Sequence, residues 1–173
     1  NIHTIYETIF KRKRGCAISL FFRNGQKLMN KIINIAGFEW YVLKEIGDKS
    51  LLLAKNSFYM GYFDDYTNVY ENSELNIFLN EAFLKILKGD GFDDTKIANG
   101  IWPLTVGQYN IYVRDKIPND NNNWFLRPPG ENEYVILGVD TEGEVMDLRI
   151  TDSAGVRPAF MVNTAYLNEY LTQ

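Results

Sequence analysis

The side chains that most often carry acid–base or nucleophilic chemistry are scarce in this sequence. His3 is the only histidine and Cys16 is the only cysteine. Since His3 lies beside the first residue, a Ser–His pair, a Cys–His pair or a histidine zinc site would depend on a segment that is expected to fray. A lone cysteine in an apolar stretch is more typical of a buried, inert thiol than of a nucleophile. We therefore predict no catalytic residue.

Phosphate and metal chemistry have equally little support. The sequence Gly89-Asp90-Gly91 lacks the lysine and the third glycine of a phosphate-binding loop, and it is typical of a helix end. Acidic and amide side chains cluster near residues 64–65, 90–94 and 120–123, but none of these clusters follows the EF-hand pattern. We expect no metal and no cofactor. A hydrolase that uses two facing carboxylates stays open, because 22 acidic residues make such a pair easy to assemble.

Charge is distributed unevenly along the 173 residues. Residues 1–31 hold seven basic side chains and one acidic side chain, whereas the whole chain has a net charge of −4. A basic segment of this kind can contact nucleic acid, an anionic membrane surface or the acidic remainder of the chain. The acidity of that remainder argues against nucleic acid as a partner. No apolar run reaches the roughly 18 residues that a membrane span requires.

Periodicity and turn residues predict a mixed α and β domain. The predicted helices lie at residues 4–13, at residues 73–89 and at residues 94–98, with a further turn of helix capped by Thr105 and Gln108. Hairpins are predicted around Asn24-Gly25 and Gly47-Asp48. The predicted strands are residues 17–22, 27–35, 38–46, 50–55, 124–126, 134–139, 144–150 and 156–162. Because strands precede and follow the helices, the order indicates an α+β fold with an antiparallel sheet rather than a doubly wound parallel sheet.

Two motifs near the end of the chain stand out by composition. The sequence WFLRPPG at residues 124–130 joins an aromatic strand to a proline-rich loop, and GVRPAF at residues 155–160 places an arginine among apolar residues. We expect Arg127 and Arg157 to be half buried and to need carbonyl or carboxylate partners. Arg157 and Trp40 are interpreted as structural residues, whereas Arg127 is a candidate ligand contact.

These motifs, in this order, resemble an uncharacterised bacterial domain family that reads roughly WWLRSPG and then GVRPAL. Further segments are similar to the family's patterns: FEWYVL at 38–43, LLLAK at 51–55, YENSEL at 70–75 and LTVGQY at 104–109. The resemblance covers about residues 33–163. Tyr70, Asn76, Phe125 and Pro128 depart from the residues that are usual in the family. Its closing pattern is similar to that of C-type-lectin-like modules, although the motifs for calcium-dependent sugar binding are absent.

The resemblance implies a C-type-lectin-like α+β fold, with one long helix, one or two short helices and long irregular loops. It divides the chain into a basic arm or hairpin at residues 1–32 and one such domain at residues 33–173. It also implies a non-catalytic binding or display role, toward a protein or a glycan, in a bacterial surface, phage or mobile-element protein. An extracellular, cell-surface or virion location is therefore favoured over the cytoplasm.

Aromatic, amide and arginine side chains in the predicted loops are the candidate ligand contacts, because such side chains provide large contact areas. The candidates are Tyr62, Tyr66, Tyr109, Asn122, Asn123, Trp124 and Arg127. Two alternatives remain beside this hypothesis: a structural or assembly domain of a larger protein that has no small ligand, and the carboxylate-based polysaccharide hydrolase.

Overall fold

Residues 31–172 are described in the computed structural model, and two five-stranded sheets dominate this part of the chain. The N-terminal predictions, which are a helix at residues 4–13, a strand at residues 17–22 and the hairpin turn at Asn24-Gly25, lie outside the described residues. The strands are β1 (Ile32–Ile35), β2 (Phe38–Ile46), β3 (Lys49–Ala54), β4 (Tyr59–Gly61), β5 (Ile97–Pro103), β6 (Trp124–Pro129), β7 (Val135–Val139), β8 (Val145–Arg149), β9 (Ala154–Val156) and β10 (Pro158–Asn163).

The first sheet has the strand order β1-β2-β3-β10-β5, and all of its neighbours are antiparallel. Strands β2 and β3 form the predicted hairpin, with Gly47 at a φ of +62° in the turn, where a left-handed backbone favours glycine. Residues 51–53 are fully buried, as expected for a central strand that is covered on both faces. The part of the predicted strand 27–35 that the structure describes is β1. It pairs with β2, where Ile33 lies opposite Trp40.

The second sheet has the order β4-β9-β6-β7-β8 and is mixed, because β6 and β9 are parallel at Trp124 and Gly155. The predicted hairpin formed by β7 and β8 is present, with Gly138 opposite Met146. The predicted last strand is interrupted at Arg157: β9 belongs to the second sheet and β10 to the first. This interruption links the two sheets. The α+β fold class is confirmed, and the expected antiparallel sheet is corrected to one antiparallel and one mixed sheet.

The predicted long helix is present as helix α1, which consists of three consecutive segments: Glu74–Ile77, a π-helical segment Phe78–Phe83, and Leu84–Gly89. Ser73 caps its start, where its side-chain oxygen accepts a hydrogen bond from the Asn76 backbone N–H at 3.1 Å. The chain leaves the helix through Gly91 at a φ of +85°. The left-handed glycine is thus two residues later than the predicted stop at Gly89.

The shorter helices differ more from the sequence prediction. Thr105 and Gln108 form the predicted capping box at the start of α2 (Val106–Tyr112), with hydrogen bonds of 3.0 and 3.1 Å. The helix predicted at residues 94–98 is only a 3-10 turn, Asp94–Lys96, because the following residues pair with β10. Helix α3 (Thr164–Tyr170), which begins at its capping residue Asn163, was not predicted.

Aromatic side chains fill the core between the first sheet and helix α1. Trp40 is fully buried, packs edge-on against Phe160 with ring centroids 4.8 Å apart, and lies 6.2 Å from the ring of Phe83. Its indole N–H donates a hydrogen bond to the Ile35 carbonyl at 3.4 Å. Trp40 is therefore part of the hydrophobic core. This core leaves the loop that follows β4 at the surface.

Candidate binding surface

The loop at residues 62–69 is held in one conformation by the carboxylate of Asp64, which is only 4% exposed. One oxygen of this carboxylate accepts hydrogen bonds from the backbone N–H groups of Tyr66 and Thr67, at 2.6 and 2.9 Å. The other oxygen accepts one from the backbone N–H of Glu74 at 2.8 Å, in the first turn of α1. Asp64 thus joins the loop to the start of a helix, where negative charge is favourable.

A second set of hydrogen bonds joins this loop to the loop that precedes β7. The side-chain amide of Asn68 donates to the carbonyls of Asn132 and Val135, at 2.8 and 3.0 Å. The carbonyl of Ile150 accepts from the backbone N–H of Asp64 at 3.2 Å, while the N–H of Ile150 donates to the carbonyl of Tyr134 at 3.0 Å. The two loops therefore form one continuous, hydrogen-bonded surface.

Three exposed tyrosines lie on these two loops. The exposed fraction is 44% for Tyr62, 85% for Tyr66 and 60% for Tyr134. Exposed carboxylates lie beside them in the sequence or in direct contact. We call this set the tyrosine surface: it comprises Tyr62, Tyr66, Tyr134, Asp65, Glu74 and Glu133. Large aromatic side chains at this exposure are more typical of a contact surface than of a solvated loop.

Carboxylates raise the pKa of two of the tyrosines. The hydroxyl of Tyr62 donates a hydrogen bond to a carboxylate oxygen of Glu74 at 2.9 Å, and this bond, together with the charges of Glu74 and Asp65, raises the pKa of Tyr62. A hydrogen bond to Glu133 and the charge of that residue raise the pKa of Tyr134 in the same way. Both shifts favour the neutral phenol, which can donate and accept hydrogen bonds.

Two of the predicted contact residues are buried, which corrects the expectation that they touch a ligand. Tyr109 is 0% exposed and Trp124 is 1% exposed, and their ring centroids lie 5.7 Å apart. The hydroxyl of Tyr109 donates to the carbonyl of Gly143 at 2.6 Å. Trp124 begins β6, the central strand of the second sheet, so neighbouring strands and helix α2 cover it. Both residues belong to the core.

The other three predicted contacts lie outside the tyrosine surface. Asn122 is exposed, and both its backbone N–H and its side-chain amide donate to Asp120. Asn123 and Arg127 are half-buried. No hydrogen bond or ring contact within residues 31–172 joins these three side chains to Tyr62 or Tyr66. Of the predicted set, the structure brings together only those two tyrosines, and it adds Tyr134, which sequence reasoning missed. The signal for Tyr134 was its position in a polar loop at 131–134.

Arg157 is more deeply buried than predicted, with 1% exposure. Its guanidinium donates hydrogen bonds to the carbonyls of Ala54 and Lys55, both at 2.8 Å, and lies over the rings of Trp124 and Tyr41 at 5.1 and 6.0 Å. Burial lowers its pKa to about 10. A cation in this position holds the end of β3 against the junction of β9 and β10.

A surface cleft of about 420 Å³ lies at the other end of the first sheet, beside α3. Lys49 and Lys96 line it, but Glu169 lines it as well, and each lysine lies 4.0 Å from an aspartate oxygen. These opposite charges leave the cleft without a distinct electrostatic preference. The tyrosine surface is therefore the stronger candidate.

Comparison with protein-family models, with curated proteins and with solved structures finds no match for this chain. Within residues 31–172, no helix combines the length and the apolar composition that crossing a bilayer requires. In the same part of the chain, no three His, Cys, Asp or Glu side chains are grouped so that they could hold a metal ion.

Proposed function

We propose that this chain is a non-catalytic binding module that recognises a protein or a glycan through the tyrosine surface. The observation that carries the proposal is Tyr66, which is 85% exposed on a loop that the buried Asp64 holds by two hydrogen bonds to its backbone and joins to α1 by a third. An aromatic side chain on a loop that is already ordered loses little conformational entropy when a partner binds.

The arrangement of the loops supports the same proposal. The loop at 62–69 and the loop at 131–134 come from different parts of the chain and are joined by Asn68. A rigid scaffold that carries adjacent surface loops is the common design of recognition domains. The proposal includes the C-type-lectin-like fold and a role in a bacterial surface, phage or mobile-element protein, both of which rest on the sequence resemblance.

Binding of the purified chain to a glycan array and to candidate partner proteins tests this proposal. We expect Tyr66→Ser to abolish specific binding. Ile111→Ser should leave it unchanged, because Ile111 is an exposed apolar residue (57%) on α2, outside the tyrosine surface. Circular dichroism should show that both variants fold. Specific binding that survives in Tyr66→Ser would place recognition elsewhere and refute the proposed site.

A further inference from the structure

We infer that the partner of the tyrosine surface is a protein segment rich in lysine and arginine. This inference rests on the proposed function, since it names the partner class of the same surface. The exposed tyrosines provide the contact area of the surface, and the charge around them selects the class of partner that binds.

Negative charge dominates this surface. Five exposed carboxylates lie on its two loops, on the following 3-10 turn Tyr70–Asn72 and at the start of α1: Asp65, Glu71, Glu74, Glu131 and Glu133. Within residues 31–172, no lysine or arginine forms an ion pair with any of them. One exposed cation, Arg149, lies beside the surface as the register partner of Val135. The excess of negative charge is thus largely uncompensated.

Several cations of this part of the chain pair with acidic residues elsewhere. Residues 31–172 contain 12 basic and 21 acidic side chains, a formal charge of −9. Lys55 pairs with Glu39 on the first sheet, at 2.9 Å. Arg114 pairs with Glu144 at the hairpin of β7 and β8, where its guanidinium bonds both carboxylate oxygens. The tyrosine surface is therefore a place where a partner can supply the missing cations.

The aromatic rings favour the same class of partner. A guanidinium or ammonium group is attracted to the face of a tyrosine ring and, at the same time, to a neighbouring carboxylate. Tyr66 offers an exposed ring and follows Asp65 in the sequence, while the hydroxyl of Tyr62 is hydrogen-bonded to Glu74 and lies in the field of Asp65. A neutral glycan would use the rings without needing the carboxylates, whereas a nucleic acid or another anionic partner would be repelled by them.

Fluorescence anisotropy with the labelled peptide Gly-Lys-Arg-Lys-Arg-Gly tests the inference. The chain contains four consecutive cations of its own, so the titration is made both with the full chain and with a chain in which these four are serine: Lys11→Ser, Arg12→Ser, Lys13→Ser and Arg14→Ser. We expect binding that is stronger for this peptide than for Gly-Ser-Gly-Ser-Gly-Gly. Its affinity should fall as salt is raised from about 50 mM to about 300 mM, because salt screens exposed charges.

Charge variants then separate this inference from the proposed function. The combination of Glu74→Gln and Glu133→Gln should weaken binding of the basic peptide about threefold to tenfold, as expected for two exposed charge contacts. Glu142→Gln makes the same change of charge as either single substitution, at an exposed residue in the turn between β7 and β8, and it should have no effect. Glu133→Gln is also measured alone, because Glu133 lies in a loop and its substitution leaves the start of helix α1 unchanged.

Equal affinity for the basic and the neutral peptide would overturn the inference, and so would an equal loss in Glu142→Gln. If a glycan or a neutral protein binds in a manner that depends on Tyr66 but not on Glu74 and Glu133, the proposed function stands and the basic partner is refuted. If no binding depends on Tyr66, both fail.

Discussion

Replacing Asp64 by asparagine should destabilise the protein, because this buried carboxylate accepts three backbone hydrogen bonds. An asparagine keeps one side-chain oxygen, which can continue to serve Tyr66 and Thr67. Its NH₂ group then faces the N–H of Glu74, where two donors meet and one hydrogen bond is lost. Hydrogen bonds to charged groups contribute about 1.5–3 kcal/mol each, so we expect Asp64→Asn to lower the free energy of unfolding by about 2–4 kcal/mol.

Urea titration followed by circular dichroism measures this change, and Asp65→Asn provides the matched control. Asp65 is exposed and no hydrogen bond to it is described, so its substitution should shift the free energy of unfolding by less than about 0.5 kcal/mol. Amide hydrogen exchange adds a local readout, since the N–H groups of Tyr66, Thr67 and Glu74 should lose protection in Asp64→Asn. If Asp64→Asn and Asp65→Asn have the same stability, the loop does not depend on this carboxylate and the reasoning is wrong.

Three further predictions concern the scaffold. Thr105→Ala removes the capping box of α2 and should cost about 1 kcal/mol in a urea titration, whereas the exposed Thr151→Ala should be neutral. Burial raises the pKa of Tyr70 above its ordinary value of 10.0, so the folded state keeps a proton that the unfolded state releases. The free energy of unfolding should therefore fall as the pH rises above about 10. Tyr70→Phe should reduce this dependence on pH when urea titrations are made across that range. Arg157→Lys keeps the charge but loses the planar guanidinium that donates to two carbonyls. Its free energy of unfolding, measured by urea titration, should therefore drop by about 2–4 kcal/mol. An unchanged unfolding midpoint would contradict the structural role of Arg157.

Local signals in the sequence predicted several elements correctly. The hairpin of β2 and β3, the helix that begins after Ser73 and the capping box of Thr105 each depend on residues within a few positions of one another. Turn geometry and capping are short-range effects, so a single sequence contains enough information to identify them. The same reasoning missed α3, because its capping residue Asn163 directly follows the strand pattern at residues 156–162.

The candidate site could be predicted only in part. Tyr62 and Tyr66 were identified as exposed loop aromatics, yet Tyr109 and Trp124, which have the same composition signal, are in the core. A tyrosine in a loop and a tyrosine on the inward face of a short helix look alike when the residues are counted. Burial is decided by what packs over the side chain, and for Trp124 that covering comes from strands far away in the sequence.

By itself, the sequence determined the α+β class, the main hairpins and the long helix, because hydrophobic periodicity, turn residues and caps act over short distances. Only the tertiary structure decided that the chain divides into an antiparallel and a mixed sheet and that the strand at Arg157 crosses between them. Tertiary contacts also joined Asn68 to the loop before β7, which places Tyr134 on the same surface as Tyr62 and Tyr66. The two contacts of Asn68 join residues more than 60 positions apart, and a contact at that separation leaves no pattern in the local sequence.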